Sequence, residues 1–218
     1  MDHRILIVDD HPLFRAALGQ TLVGLGALSV GEVADLADLR PRLAADPDWD
    51  LVLLDLNMPG SDGLSSLLLL RAEHPELPVM VVSGVTEPRV IRQALALGAS
   101  GYLVKSAGPA EIRAAVATVL AGGIHAPADS GITDDPADSA LMRRLASLTP
   151  QQVRVLLMLG DGLMNKQIAH QLSIAEATVK AHVSSILQKL DVDSRTQAVI
   201  AASRIRRDGL EGIPGQTG

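Results

Sequence analysis

The sequence predicts a doubly wound α/β domain on a five-stranded parallel sheet, followed by an all-α domain. Three observations carry this. Short runs apolar at every position recur through the first 120 residues, stretches with helical spacing separate them, and beyond Gly122 only helical patterns remain. Runs with no polar face suit parallel strands covered on both sides.

The first run, residues 5–8, reads Ile5-Leu6-Ile7-Val8, and Leu13, Ala17, Leu18 and Leu22 then repeat at helical spacing. Gly24 and Gly26 break that helix before a weaker apolar run at 28–33. Further runs occupy 51–54, 79–82 and 102–104, with Pro75, Pro78, Gly98 and Gly101 at the transitions and Ile91, Ala94 and Leu95 on a helix between the last two. Gly122-Gly123, Pro127, Gly131 and Pro136, interspersed with Asp129, Asp134, Asp135 and Asp138, then predict an exposed linker. Four helices follow, at 149–159, 165–172, 176–190 and 196 to about 206. The glycine-rich end predicts a disordered tail.

Composition removes whole classes of function. Zero cysteines exclude a disulfide scaffold, a thiolate metal site and a cysteine nucleophile. Three aromatics (Phe14, Trp49, Tyr102) exclude stacking platforms for single-stranded nucleic acid. No apolar run approaches the roughly 18 residues of a membrane span, and the apolar stretch at the amino terminus is too short for a secretory signal, so a cytoplasmic protein with no membrane partner is expected. The charge is unevenly placed. Residues 1–126 carry 9 basic and 15 acidic side chains, whereas 147–218 carry 8 and 6, which points to different partners for the two ends.

The strands end on chemistry. Asp9-Asp10 follow the first, Asp55 the third, Ser83-Gly84 the fourth and Lys105 the fifth. Sites in open parallel sheets form outside the carboxyl ends of the strands, so these groups converge. Singly, each reads as a cap, a turn residue or a solvated lysine. Together, three carboxylates favour either a raised pKa or a bound divalent cation, and oxygen-only ligands suit Mg²⁺. A lysine and a hydroxyl opposite suit an incoming phosphoryl group.

Asp9-Asp10, Asp55-Leu56-Asn57-Met58-Pro59-Gly60-Ser61-Asp62-Gly63, Ser83-Gly84 and Tyr102-Leu103-Val104-Lys105 resemble the receiver domain of two-component response regulators, a flavodoxin-like fold. The resemblance covers about residues 3–121. It implies Asp55 as phosphoacceptor, Asp10 as a direct and Asp9 as a water-mediated Mg²⁺ ligand, and the Asn57 backbone carbonyl as the remaining protein ligand beside Asp55. It implies that Lys105 pairs with the phosphoryl group, that Ser83 hydrogen-bonds it, and that Tyr102 turns inward when Ser83 is drawn to it. Gly84 leaves Asp55 accessible.

In the second half, Val179, Val183, Ile186, Leu187 and Leu190 form one stripe of a helix, with Ala181, Ser184, Ser185 and Gln188 opposite and Lys180, His182 and Lys189 on its flanks. A small, polar, acid-free face edged by cations suits a DNA major groove. The preceding Asn165-Lys166-Gln167-Ile168-Ala169-His170-Gln171-Leu172 and the short turn Ser173-Ile174-Ala175 give helix-turn-helix spacing. The block from Leu148-Thr149-Pro150 to Ser194-Arg195-Thr196-Gln197-Ala198-Val199 resembles the LuxR-type DNA-binding domain. It departs at Gln151-Gln152, where that family usually carries an Arg-Glu-like pair, which touches packing or capping of the first helix. The resemblance puts Lys180, Ala181 and Ser184 at the bases; Lys166, Thr178, His182 and Lys189 are the candidates for phosphate contact.

Both halves together resemble a NarL/FixJ-type response regulator, divided into a receiver at 1–121, a linker at 122–146, a helix-turn-helix domain at 147–207 and a tail at 208–218. The expectations are phosphorylation of Asp55 by a sensor histidine kinase, binding to double-stranded DNA, a homodimer on activation, RNA polymerase among the candidate partners, and no enzymatic turnover. The short side chains Ala198, Val199, Ala201 and Ala202 suggest a face for a second copy, covered in part by the receiver until phosphorylation. The competing expectation is a signalling adaptor that acts through protein contacts without reading DNA. A metal-dependent enzyme is disfavoured, because no residues for an organic substrate are evident.

Overall fold

The computed structural model describes residues 3–23, 29–59, 61, 63–128 and 136–207, with the backbone alone at 136, 137 and 207. In chain order β1 (Arg4–Val8), α1 (Pro12–Val23), β2 (Ser29–Val33), α2 (Leu36–Ala45), β3 (Leu51–Leu54), α3 (Leu64–Glu73), β4 (Val79–Ser83), α4 (Pro88–Ala96), β5 (Gly101–Val104) and α5 (Pro109–Leu120) alternate. The strands form one parallel sheet in the order β2-β1-β3-β4-β5. The wholly apolar runs have a simple cause. Ile5, Ile7, Leu51, Leu53, Met80, Val82 and Leu103 face Leu18 and Leu22 of α1 and Ile112, Ala115 and Val116 of α5. Leu6, Val8, Val52, Leu54, Val79, Val81 and Tyr102 belong to the cluster on the other face, with Leu39, Leu67, Leu68, Val90 and Ile91 of α2, α3 and α4. The weaker run is the edge strand β2, where Ser29 and Glu32 are exposed. Strand order reverses between β1 and β3, and that reversal opens a crevice at their carboxyl ends.

Beyond α5 the chain turns at Gly122, whose φ is +83°, and His125 pairs with the edge of β5. The Tyr102 N–H donates to the His125 carbonyl (2.9 Å) and the His125 N–H to the Ser100 carbonyl (3.2 Å). Gly101 permits this approach, since a Cβ there would lie 3.1 Å from Met80 Cε and 3.3 Å from His125.

The helices α6 (Pro136–Ala146), α7 (Pro150–Gly160), α8 (Asn165–Leu172), α9 (Glu176–Leu190) and α10 (Arg195–Arg207) complete the chain. Helix α6 departs from the expected linker. Its acidic, proline-led start reads as loop, yet Met142 and Leu145 are fully buried. The tail at 208–218 lies outside the described residues.

The two halves touch. Helix α3 contacts α7 and α10, and α4 contacts α6. Glu73 of α3 accepts from Arg40 of α2 (2.8 and 3.0 Å) and from Arg154 of α7. Buried Asp138 of α6 accepts from Gln93 (2.7 Å) and Arg89 (3.2 Å) of α4, and Arg204 of α10 lies 3.6 Å away.

Candidate functional site

Asp9, Asp55 and Lys105 are each the first residue beyond their strands, and their N–H groups prolong the ladder. The Asp9 N–H bonds the Val33 carbonyl (3.1 Å), that of Asp55 the Val8 carbonyl (2.9 Å), and that of Lys105 the Ser83 carbonyl (2.8 Å). The sheet therefore fixes where these side chains start. Lys105 Nζ lies 2.7 Å from Asp9 Oδ2 and 2.8 Å from Asp55 Oδ2, and 4.9 Å from the centre of the Phe14 ring. Asp55 is 1 % exposed. Burial lifts its carboxyl above the ordinary carboxylate range, Lys105 and the Asn57 N–H (3.0 Å) pull against that rise, and the charge of Asp9 adds to it. Burial also works against the Lys105 ammonium, but its bonds to Asp55 and Asp9 outweigh this and its pKa is raised.

The donor set fits a hard divalent cation. Asp9, Asp10 and Asp55 bring three negative charges against one ammonium, an excess of two. One carboxylate oxygen from each and a ring nitrogen of His11 all lie within 4.8 Å of one another. Asp10 Oδ1 is buried 2.8 Å from His11 Nδ1, and the Asn57 side-chain oxygen is buried without a hydrogen-bond partner. Ser83 is fully buried, and its Oγ accepts from the Val85 N–H (3.2 Å). Tyr102 is also fully buried, with its hydroxyl donating to the Val85 carbonyl (2.9 Å). Burial pushes that phenol up to about 12.

In the second half, α8 and α9 meet at a tight turn in which Ser173 has a left-handed φ of +55° and the Ile174 N–H closes on the Ala169 carbonyl (3.0 Å). Val179, Ile186 and Leu190 anchor α9 inward. Thr178, Lys180, Ala181, Ser184 and Gln188 are exposed along its outer side, and Lys166 is exposed on α8.

Residues 5–117 match the response regulator receiver domain, and residues 146–202 match the LuxR family of bacterial regulatory proteins. The chain belongs to the NarL/LuxR-type DNA-binding response regulators. It is 41% identical over 212 residues to a glycerol metabolism activator of Pseudomonas putida, covering 93% of this chain and 96% of that one. It is 34% identical to the DNA-binding transcriptional activator DevR/DosR of Mycobacterium tuberculosis (94% and 95% covered) and to the nitrate/nitrite response regulator protein NarL of Escherichia coli (90% and 93%). RcsB from Salmonella enterica serovar Typhimurium, solved bound to the promoter P1flhDC with a phosphomimetic, shares the fold at a TM-score of 0.58 and 22% identity, over 94% of this chain and all of that one.

Within this regulator several expectations change. The outer side of α9 is not free of acid, because Lys180 Nζ rests 3.1 Å from Glu176 Oε1 one turn earlier. Ser185 points inward and accepts from Gln152 Nε2 (2.8 Å). Lys189 Nζ donates to Gln152 Oε1 and the Ser147 carbonyl, both at 2.9 Å, so its amine is tied back to the start of α7. His182 is only partly exposed. The departure at Gln152 is accommodated, since Thr149 and Gln152 form a reciprocal capping box at the start of α7. Ala198, Ala201 and Ala202 are buried in the core and give no outer face to a second copy; Ile200, 53 % exposed, remains on the outside. The receiver contacts α6, α7 and α10, and leaves Lys180, Ala181 and Ser184 exposed.

Sequence reasoning passed over His11 and read Asp138 only as linker, whereas it did assign Gln152 to packing or capping of the first helix, as the capping box bears out. His11 directly follows the acidic pair, and that adjacency was the available signal. The bonds of Asp138 to α4 and of Gln152 to Ser185 and Lys189 are long-range contacts that no local pattern announces.

Proposed function

We propose that Asp55 is the phosphoacceptor of this regulator, and that a sensor histidine kinase supplies the phosphoryl group from a phosphohistidine. The observation that carries this is the buried Asp55 carboxylate held 2.8 Å from Lys105 Nζ at the edge where Asp9 and Asp10 also end. An Asp55 oxygen attacks phosphorus, the P–N bond breaks as the P–O bond forms, and the leaving imidazole keeps the electron pair and takes up a proton. Asp9, Asp10, Asp55 and the Asn57 backbone carbonyl are the residues that would hold Mg²⁺, which supplies charge neutralisation on the phosphoryl oxygens. Lys105 pairs with those oxygens, and the Ser83 hydroxyl bonds one of them. Leaving Val85 to do so, Ser83 acts on the same short segment that holds the Tyr102 hydroxyl, so the phosphate biases an existing equilibrium.

The output is a change in how the cytoplasmic chain engages double-stranded promoter DNA. Lys180, Ala181 and Ser184 face the bases, and Lys166, Thr178 and His182 the phosphates. Lys189 serves that side only if its bonds to Ser147 and Gln152 open. Because the receiver leaves α9 exposed, the docked state restrains pairing of two chains and contact with RNA polymerase more than it covers the reading helix. The regulator turns over no substrate.

The test is incubation with acetyl phosphate and Mg²⁺, followed by mapping of the acyl phosphate by mass spectrometry. Modification is expected at Asp55 alone and is lost in Asp55→Asn; modification of that variant at the wild-type level overturns the assignment.

A further inference from the structure

We propose that Phe14 is a positioning residue for phosphoryl transfer, and that the face of its ring holds the Lys105 ammonium against Asp55. The inference rests on the reading of Asp55 as phosphoacceptor and of Lys105 as the cation that meets the phosphoryl group.

Helix α1 delivers the ring. Phe14, Leu18 and Leu22 recur at every fourth residue, and all three belong to the cluster between α1, α5 and the sheet, with Phe14 half-buried. The adjacent Leu13 is 86 % exposed, so it is Phe14 that the helix turns inward. The first turn is pinned to the end of β1. Arg15 Nη1 donates to the Asp9 carbonyl (2.6 Å), and the His11 N–H donates to Asp9 Oδ1 (2.7 Å). The ring is thus carried by the same short segment that carries Asp9.

Lys105 Nζ lies over that ring, 4.9 Å from its centre. This is within the roughly 6 Å over which an aromatic face attracts a cation. The same Nζ lies 2.8 Å from Asp55 Oδ2 and 2.7 Å from Asp9 Oδ2. Two carboxylates and one ring face therefore surround an ammonium whose four-carbon stem is flexible by itself.

An aromatic suits this place because of charge. Asp9, Asp10 and Asp55 already outweigh Lys105 by two charges. A further acid would hold the ammonium but would also repel an incoming phosphoryl group. The ring quadrupole attracts the cation and adds no net charge. As an Asp55 oxygen bonds to phosphorus the carboxylate partner changes, whereas the ring does not, so Phe14 is the partner that keeps the ammonium in place throughout.

The experiment replaces Phe14 in the full chain by phenylalanine carrying one, two or three ring fluorines, which drain the quadrupole with little change in size. Phe14→Leu is made alongside. Each chain is incubated with acetyl phosphate and Mg²⁺, and the rate of Asp55 modification is followed by mass spectrometry. The rate is expected to fall with each added fluorine, ending roughly threefold to tenfold below wild type in the trifluorinated chain and in Phe14→Leu. A second readout needs neither metal nor phosphoryl donor. In the proton NMR spectrum of wild type the Lys105 ε-methylene is expected upfield, shifted by the ring current, and Phe14→Leu removes that shift. Rates that ignore the number of fluorines assign Phe14 to packing and overturn the proposal, as does a wild-type ε-methylene without the shift. If wild type is not modified at Asp55 at all, the phosphoacceptor reading falls and this one with it.

Discussion

The receiver edge and the outer side of α9 are built on opposite plans. At the edge, backbone ladders position Asp9, Asp55 and Lys105, and burial makes every charge matter to its neighbours. On α9 the side chains stand in solvent on one helix, and the adjoining helices decide which of them remain available. Gln152 of α7 engages Ser185 and Lys189, leaving Lys180, Ala181, Ser184 and Gln188 outside. Chemistry at strand ends is thus fixed by the sheet, whereas chemistry on a helix face is what remains after packing.

The sharpest way to break this contrast is Lys105→Ala. It leaves Asp9 and Asp55 facing each other without the shared ammonium, so phosphorylation of Asp55 is expected to slow by roughly 10²-fold. Stopped-flow or phosphate-affinity gel assays measure this, and a loss under threefold would mean that the edge is less coupled than its distances imply.

A smaller effect separates two lysines on α9. Lys180→Ala is expected to weaken duplex binding by about 1–3 kcal/mol if it reaches a base edge, with little change in thermal stability. Lys189→Ala removes bonds to Gln152 and Ser147, so it is expected to destabilise the helical half by about 1 kcal/mol and to change DNA affinity less. Melting curves and binding isotherms at fixed salt distinguish the two; the reverse pattern would return Lys189 to the DNA side.

The smallest effect tests burial at Asp55. Its folded pKa is raised, so ionisation favours the unfolded chain. That opposition is absent below the unfolded value and grows as pH rises through the folded one. Asp55→Asn is therefore expected to melt about 2–4 °C higher than wild type at pH 7.5 in metal-free buffer, with the gain shrinking toward pH 4.

Much of the receiver was legible in the sequence. Strands buried on both faces leave unbroken apolar runs, and the first residue after each run carries the chemistry. The edge strand β2 was weaker for the same reason, because Ser29 and Glu32 meet solvent. The helical half was legible in its elements and less so in its surfaces. Helical spacing placed Ser185 opposite the apolar stripe, but only the position of α7 shows that Gln152 draws it inward. The stripe of alanines on α10 is a close-packing signal, and it serves the domain's own core rather than a second copy. Helix α6 was hidden by Pro136 and Asp138, residues that resemble a loop yet sit at a helix start.

The pairing of His125 with β5 also sets a length. Measured from that anchored residue, ten residues lead to Pro136, which can span at most about 35 Å. Covalent connection of that length keeps the helical half within reach of the receiver whether or not the contacts of Asp138 and Glu73 hold. Undocking is therefore an equilibrium within one chain, indifferent to how much protein the cell contains. Pairing of two chains on DNA, if the proposed function holds, would rise with abundance, so undocking and gene dose would act on different steps.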